Sequence, residues 1–193
     1  MSKPKILAFA GSTRSGSYNK KLIAVASEQA QAAGAEIKLI DLRDYPMPLY
    51  DGDLETGSGL PEKAAELKLE MEKADAFLIA SPEYNSSISA VLKNTLDWAS
   101  RPGAVEGSVY AGKTAALISA SPGALGGLRG LNHLRSILMN VGVLVITQQQ
   151  AISKAHEAFD EGGQLIDKGT EDRLRGVVEE LVRVTGRLSL QAR

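Results

Sequence analysis

The chain of 193 residues contains no cysteine. That excludes disulfides, thiolate metal sites and a cysteine nucleophile, so any redox chemistry must come from a bound cofactor. Charge of one sign is also missing: 22 basic against 23 acidic residues leave a formal net charge of −1. Near-neutrality argues against nucleic acid or an anionic membrane as the main partner. It also differs from the acidic balance of a small electron carrier that docks on basic partners. Long apolar runs are absent too, and nothing approaches the ~20 residues of a membrane span. Lys3 and Lys5 before Ile6-Leu7-Ala8-Phe9-Ala10 imitate a signal peptide, but that run is short and enters a Gly/Ser loop. It reads as a first strand, and cytoplasm is the expected location. The two histidines, His133 and His156, do not pair in the pattern, so no metal site is expected.

What is present alternates strand and helix. Strands are predicted at about 5–10, 36–41, 76–80, 114–120 and 143–146. Helices are predicted at about 19–33, closed by Gly34, and at 61–73, 90–100, 128–140 and 170–188. A connection rich in Pro and Gly covers 42–60, read as a surface excursion, a lid or an oligomer contact. Short apolar strands alternating with helices imply a parallel sheet covered on both faces. Right-handed crossovers then favour a five-stranded order 2-1-3-4-5 in one α/β domain, residues 1–193.

The richest stretch is 81–101, Ser-Pro-Glu-Tyr-Asn-Ser-Ser-Ile-Ser-Ala-Val-Leu-Lys-Asn-Thr-Leu-Asp-Trp-Ala-Ser-Arg. Pro82 stops the third strand. Glu83, Tyr84 and Asn85 then stand at the strand's carboxyl end, where open α/β sheets bind ligands. An apolar ring beside amide donors and acceptors suits a planar heteroaromatic ligand, although an ordinary polar loop has the same letters.

Gly11-Ser12-Thr13-Arg14-Ser15-Gly16-Ser17-Tyr18-Asn19 links strand one to a helix N-terminus, a ready anion site to which Arg14 adds charge. Ser17 stands where a Walker loop needs Lys, and the glycines miss the dinucleotide fingerprint. A cysteine-dependent phosphatase is excluded. What survives is phosphate binding without phosphoryl transfer, or a turn that only caps a helix. A third loop, Ser121-Pro122-Gly123-Ala124-Leu125-Gly126-Gly127, follows strand four.

With these motifs, and with Leu-Lys-Asn-Thr-Leu-Asp-Trp-Ala-Ser-Arg at 92–101, Gly-Gly-Leu-Arg at 126–129 and His133-Leu134-Arg135, the chain resembles the NADPH-dependent FMN reductase family. That family includes chromate reductases, azoreductases and soluble NAD(P)H:quinone reductases of flavodoxin-like three-layer fold. The resemblance runs from Lys5 to about Leu181. It implies bound FMN, with NADPH or NADH as hydride donor. Ser12, Arg14, Ser17, Tyr18 and Asn19 would hold the 5′-phosphate. Pro82, Glu83, Tyr84 and Asn85 would cradle the isoalloxazine, with Ser121 and Gly123 on its far side. Hydride transfer would be ping-pong, from NAD(P)H to the flavin and on to small-molecule acceptors: quinones, azo compounds, free flavin, ferric complexes or chromate. No catalytic side chain is implied. Arg101 either complements its helix dipole or orients an anionic substrate or the NADPH phosphate. Trp98 and Leu96 read as core. Arg129, Asn132 and Arg135 form a polar helix edge, solvated or part of a homodimer or homotetramer interface. A flavodoxin-type electron carrier, a flavin redox sensor without turnover and a plain nucleotide-binding module are the other functions these residues allow.

Overall fold

The computed structural model describes residues 3–191. The chain runs β1 (Lys5–Ala10), α1 (Tyr18–Ala32), β2 (Glu36–Asp41), α2 (Gly52–Ser58), α3 (Glu62–Lys73) and β3 (Ala76–Ala80). It continues through β4 (Glu83–Tyr84), β5 (Ser87–Ile88), α4 (Ala90–Ala99), β6 (Thr114–Ala120), α5 (Leu128–Asn140), β7 (Leu144–Ile152) and α6 (Lys168–Gln191). Five strands form a parallel sheet in the order β2-β1-β3-β6-β7, which is the flavodoxin-like order 2-1-3-4-5.

β3 and β6 are buried at every residue and β1 at all but its first. Strands covered on both faces read as continuous apolar runs, which is why these three are plain in the sequence. One core lies between the sheet and α1 and α6, around Leu22, Ala26, Leu78 and Val178. The other lies under α3, α4 and α5, around Phe9, Phe77, Leu92 and Leu134. β1 is drawn tightly onto α4: a Cβ on Gly11 would stand 2.9 Å from Leu92 Cδ2. The Ser89 hydroxyl caps α4 by accepting from the Leu92 N–H at 3.2 Å and donates to the Gly11 carbonyl at 2.6 Å.

Two segments depart from the sequence expectation. β7 extends six residues beyond Ile146, through Thr147-Gln148-Gln149-Gln150. As an edge strand it needs no apolar outer side. Its pairing with β6 slips, Ala115 facing Val145 but Leu117 facing Gln149. Arg135 fills the break, donating to the carbonyls of Val145 at 3.3 Å and Ile146 at 2.8 Å and to Gln149 Oε1 at 2.9 Å. Of the polar edge on α5, then, Arg135 is a packing residue rather than a solvated one. The 42–60 connection is also not structureless. It holds a 3-10 turn at Leu42–Asp44 and the helix α2.

Candidate active site

Loop 1 (residues 11–17) leaves β1 and enters α1. Ser12 and Ser17 are buried, whereas Arg14, Ser15 and Gly16 are exposed. The Ser12 hydroxyl accepts the Arg14 N–H at 3.3 Å, which curls the loop over the helix end. Ser17 is the N-cap residue of α1, yet its side chain makes no capping bond. The first-turn N–H groups of a helix have no partner within it. The loop that leads into them carries the Ser12 and Ser17 hydroxyls and Arg14, whose guanidinium lies 5.7 Å from the Tyr18 ring and has no salt bridge among the described residues. That donor set fits a phosphate monoester: N–H groups, hydroxyls, a positive dipole end and one uncommitted cation.

Asn19 has a different task from its loop neighbours. Its Nδ2 donates to the Ala120 carbonyl at 2.9 Å, and its Oδ1 accepts the Ala120 N–H at 3.0 Å. Both ends of the side-chain amide thus bond the end of β6, clamping loop 1 to the strand that leads into loop 3. Toward a phosphate Asn19 keeps its main-chain N–H and the second hydrogen of Nδ2.

Loop 2 is a small hairpin. Glu83 pairs with Ile88 and Tyr84 with Ser87, around Asn85 and Ser86 at φ 50° and 66°. Positive φ at both central positions is the geometry of a type I′ turn, which Asn tolerates best among residues with a side chain. The turn lifts Tyr84 into solvent, 55% exposed. Glu83 points the other way. Its carboxylate accepts from Arg129 Nε at 2.9 Å and from the Gly130 N–H at 3.1 Å, at the N-terminus of α5. Burial pushes its pKa up, but the Gly130 and Arg129 hydrogen bonds and the Arg129 charge outweigh burial and hold it below the usual carboxylate value. Of the four residues expected under a flat ring, Tyr84 and Asn85 are presented to solvent, Pro82 is buried beneath them, and the Glu83 side chain braces the hairpin from behind.

Loop 3 (residues 121–127) is built for close approach. Gly126 and Gly127 have φ of 63° and 97°. A Cβ on Gly127 would lie 2.9 Å from Ser119 Cβ, and one on Gly130 would lie 3.3 Å from Glu83 Cβ. Ser119 Oγ closes the turn by donating to the Gly126 carbonyl at 2.7 Å. Ser121 is half-buried and Gly123 exposed, with the Ser121 hydroxyl accepting the Gly123 N–H at 3.3 Å. The three loops therefore stand at the carboxyl ends of neighbouring strands β1, β3 and β6, joined by Asn19 on one side and by the Glu83–α5 bond on the other.

Arg101 is elsewhere. It follows the C-terminus of α4, at the opposite end from the Ser89 cap that touches Gly11, and ten residues of helix span about 15 Å. Its Nε pairs with Glu55 of α2 at 2.9 Å, and its guanidinium lies 5.5 Å above the Tyr50 ring. The same patch anchors the 42–60 segment: Trp98 Nε1 and Asn94 Nδ2 both donate to the Pro48 carbonyl at 2.8 Å. Trp98 itself is fully buried. Arg101 thus holds the segment down instead of facing the loops. His133 Nδ1 lies 3.1 Å from Ser87 Oγ on the hairpin, and His156 sits beside Glu157.

The sequence pattern did not single out Arg43. It follows β2 and reaches loop 1 from outside, its Nε donating to the Thr13 carbonyl at 3.1 Å and its Nη2 to the same oxygen and to Ser15 Oγ. No spacing signals a bond made to main chain across thirty residues.

Comparison with known proteins places this geometry. The family model described as NADPH-dependent FMN reductase matches residues 4–157. An NAD(P)H:quinone oxidoreductase from Solanum tuberosum is 39% identical over 179 residues, covering 90% of this chain and 89% of its own. An NAD(P)H-dependent FMN reductase from Pseudomonas aeruginosa is 37% identical over 177 residues, covering 91% and 90%. The solved structure of FerB, a flavoenzyme NAD(P)H:(acceptor) oxidoreductase from Paracoccus denitrificans, superposes with a TM-score of 0.81 at 31% identity, over 95% of this chain and 98% of that one.

Proposed function

The chain belongs to the NADPH-dependent FMN reductase family, and from that premise we propose that it is an FMN-dependent NAD(P)H oxidoreductase acting on quinones. The observation that carries this is the uncapped N-terminus of α1, led into by a loop carrying Ser12, Arg14 and Ser17, on the same sheet edge as the solvent-raised Tyr84–Asn85 turn. One end takes a phosphate and the other a flat ring, which together describe FMN. When bound, FMN supplies the acceptance of a hydride and its release as electrons to a second substrate.

The residues of this chain bind and orient. Ser12, Arg14 and Ser17, with the N–H groups of Tyr18 and Asn19, hold the phosphate. Pro82, Tyr84 and Asn85 support one side of the ring, while Glu83 fixes the angle of that support through Arg129 and Gly130. Ser121 and Gly123 border the other side; their own N–H groups are taken by the Ile152 carbonyl and the Ser121 hydroxyl, so any main-chain donation to the ring's negative charge, as in an oxyanion hole, would come from the neighbouring loop residues. No side chain is required as acid or base. The open face admits NAD(P)H and then the acceptor in turn, a ping-pong sequence, and its breadth extends the acceptors to azo compounds, free flavins, ferric complexes and chromate.

A homodimer or homotetramer is part of the proposal. Leu128 and Met139 on one stripe of α5, with Leu144 of β7 beside them, are 38%, 60% and 52% exposed. No helix is long and apolar enough to cross a membrane among the described residues, and we place the protein in the cytoplasm. The test is steady-state oxidation of NADPH and NADH by FMN-loaded protein with a benzoquinone. Turnover with the quinone supports the enzyme. FMN binding without nucleotide oxidation would point to an electron carrier or sensor instead.

A further inference from the structure

Arg101, one reading of which placed it on the NADPH phosphate, is held past the far end of α4 by Glu55. A cavity of about 390 Å³ opens beside loop 1, between the 42–47 segment and the first turns of α4. It lies in the size range of small-molecule sites. It touches the proposed flavin site at two points. Thr13 belongs to loop 1 itself, between Ser12 and Arg14, and Val91 comes three residues after the hairpin ends at Ile88.

The chemistry of the lining is one-sided. Tyr45, Met47 and Val91 give apolar and aromatic surface, Thr13 and Asn94 give neutral polar groups, and Arg43 is the one charged residue. Such a cleft suits a flat apolar ring that carries an anionic group. Arg43 is only half committed. Its Nε and Nη2 are spent on the Thr13 carbonyl and Ser15 Oγ, and these bonds fix the guanidinium plane. Nη1 has no acceptor among the described residues, and no carboxylate pairs with Arg43 there. A guanidinium fixed on one side, with donors left on the other, is preorganised for a phosphate.

Building on the proposed NAD(P)H oxidation, we propose that this cleft takes the adenosine end of the dinucleotide and that Arg43 binds the 2′-phosphate, making the protein NADPH-selective. An arginine near the ribose is the general means by which nucleotide sites accommodate that phosphate. The same side chain would then serve two purposes: its Nε edge braces the loop that holds one phosphate, and its Nη1 edge reads another.

The test uses FMN-loaded protein, with flavin occupancy checked by absorbance because Arg43 also braces loop 1. Adenosine 2′,5′-bisphosphate and 5′-AMP are titrated calorimetrically into wild type, Arg43→Ala and Arg43→Gln. The glutamine variant keeps a neutral donor for the Thr13 carbonyl. The expected result is bisphosphate binding that falls at least tenfold in both variants while 5′-AMP binding is unchanged. The NADPH/NADH ratio of kcat/KM falls in parallel toward one. Equal affinity of wild type for the two probes, or a ratio that neither substitution moves, overturns the assignment. If wild type oxidises neither nucleotide yet binds the bisphosphate through Arg43, the enzymatic reading fails and the cleft stands. Normal NADPH oxidation with no Arg43 dependence leaves the enzyme standing and removes the cleft from the nucleotide site.

Discussion

Asn19→Ala separates a structural clamp from a ligand contact. The Asn19 side chain is 101 residues from Ala120 in sequence and makes two bonds to its main chain, at 2.9 and 3.0 Å, both buried. Truncation leaves an N–H and a C=O at the end of a central strand without partners. Each orphaned group costs about 1–3 kcal/mol, and allowing for some water entry the pair costs roughly 3 kcal/mol. For a domain of this size each kcal/mol is worth about 2–4 °C, so the melting temperature should fall by about 6–12 °C. The assay is thermal unfolding followed by circular dichroism, with and without FMN. The drop appears already in FMN-free protein, because the clamp joins protein to protein. Asn19→Asp should be worse, since it aims a carboxylate at the Ala120 carbonyl. An FMN-free Asn19→Ala protein that melts within about 2 °C of wild type would refute the clamp, and a loss confined to FMN affinity would return Asn19 to the phosphate site.

Other consequences follow from the same geometry. Arg14→Ala should weaken FMN binding by about 1.5–3 kcal/mol, roughly 10- to 150-fold, while riboflavin binding stays unchanged, since only FMN carries the phosphate; parallel fluorescence titrations decide it. Glu83 is held below its ordinary value by Gly130 and Arg129, so its contribution is complete above that ordinary value and is lost as pH falls through the depressed one. Glu83→Gln should therefore lower the urea midpoint at neutral pH, and the gap to wild type should close on acidification; a gap that widens in acid contradicts the sign. Gly127→Ala forces a Cβ to 2.9 Å from Ser119 at φ 97°, which should cost about 2–4 kcal/mol in chemical denaturation from strain and overpacking together.

The fold was readable where chemistry and position coincide. Ala76–Ala80 and Thr114–Ala120 are central strands, apolar on both faces, and their predicted bounds match the structure. β7 ran past its predicted end because an edge strand tolerates the Gln run at 148–150. The β4–β5 hairpin was not visible, since two-residue strands carry no periodicity and its turn is Asn-Ser rather than Asn-Gly. At the site, the loops were legible as loops but the aim of each side chain was not. The side chains of Asn19 and Glu83, expected as ligand contacts, make bonds that join loop 1 to β6 and the hairpin to α5, and no spacing signals those bonds. For Arg101, a helix-dipole partner or an orienting residue in the sequence, the structure shows a place just past the C-terminus of α4 and an ion pair with Glu55. Arg43 makes its bonds to a backbone oxygen, which any residue at position 13 would supply.

Under the proposed function, this scaffold makes bound FMN a relay between NAD(P)H and an acceptor. Rapid mixing under anaerobic conditions separates the two halves of the relay: FMN-loaded protein against NADPH with no acceptor present, then a quinone added to the product. The yellow flavin absorbance should bleach with NADPH alone, at a rate no slower than steady-state turnover, and return on adding quinone. Absorbance that stays unchanged until NADPH and quinone are present together would rule the relay out.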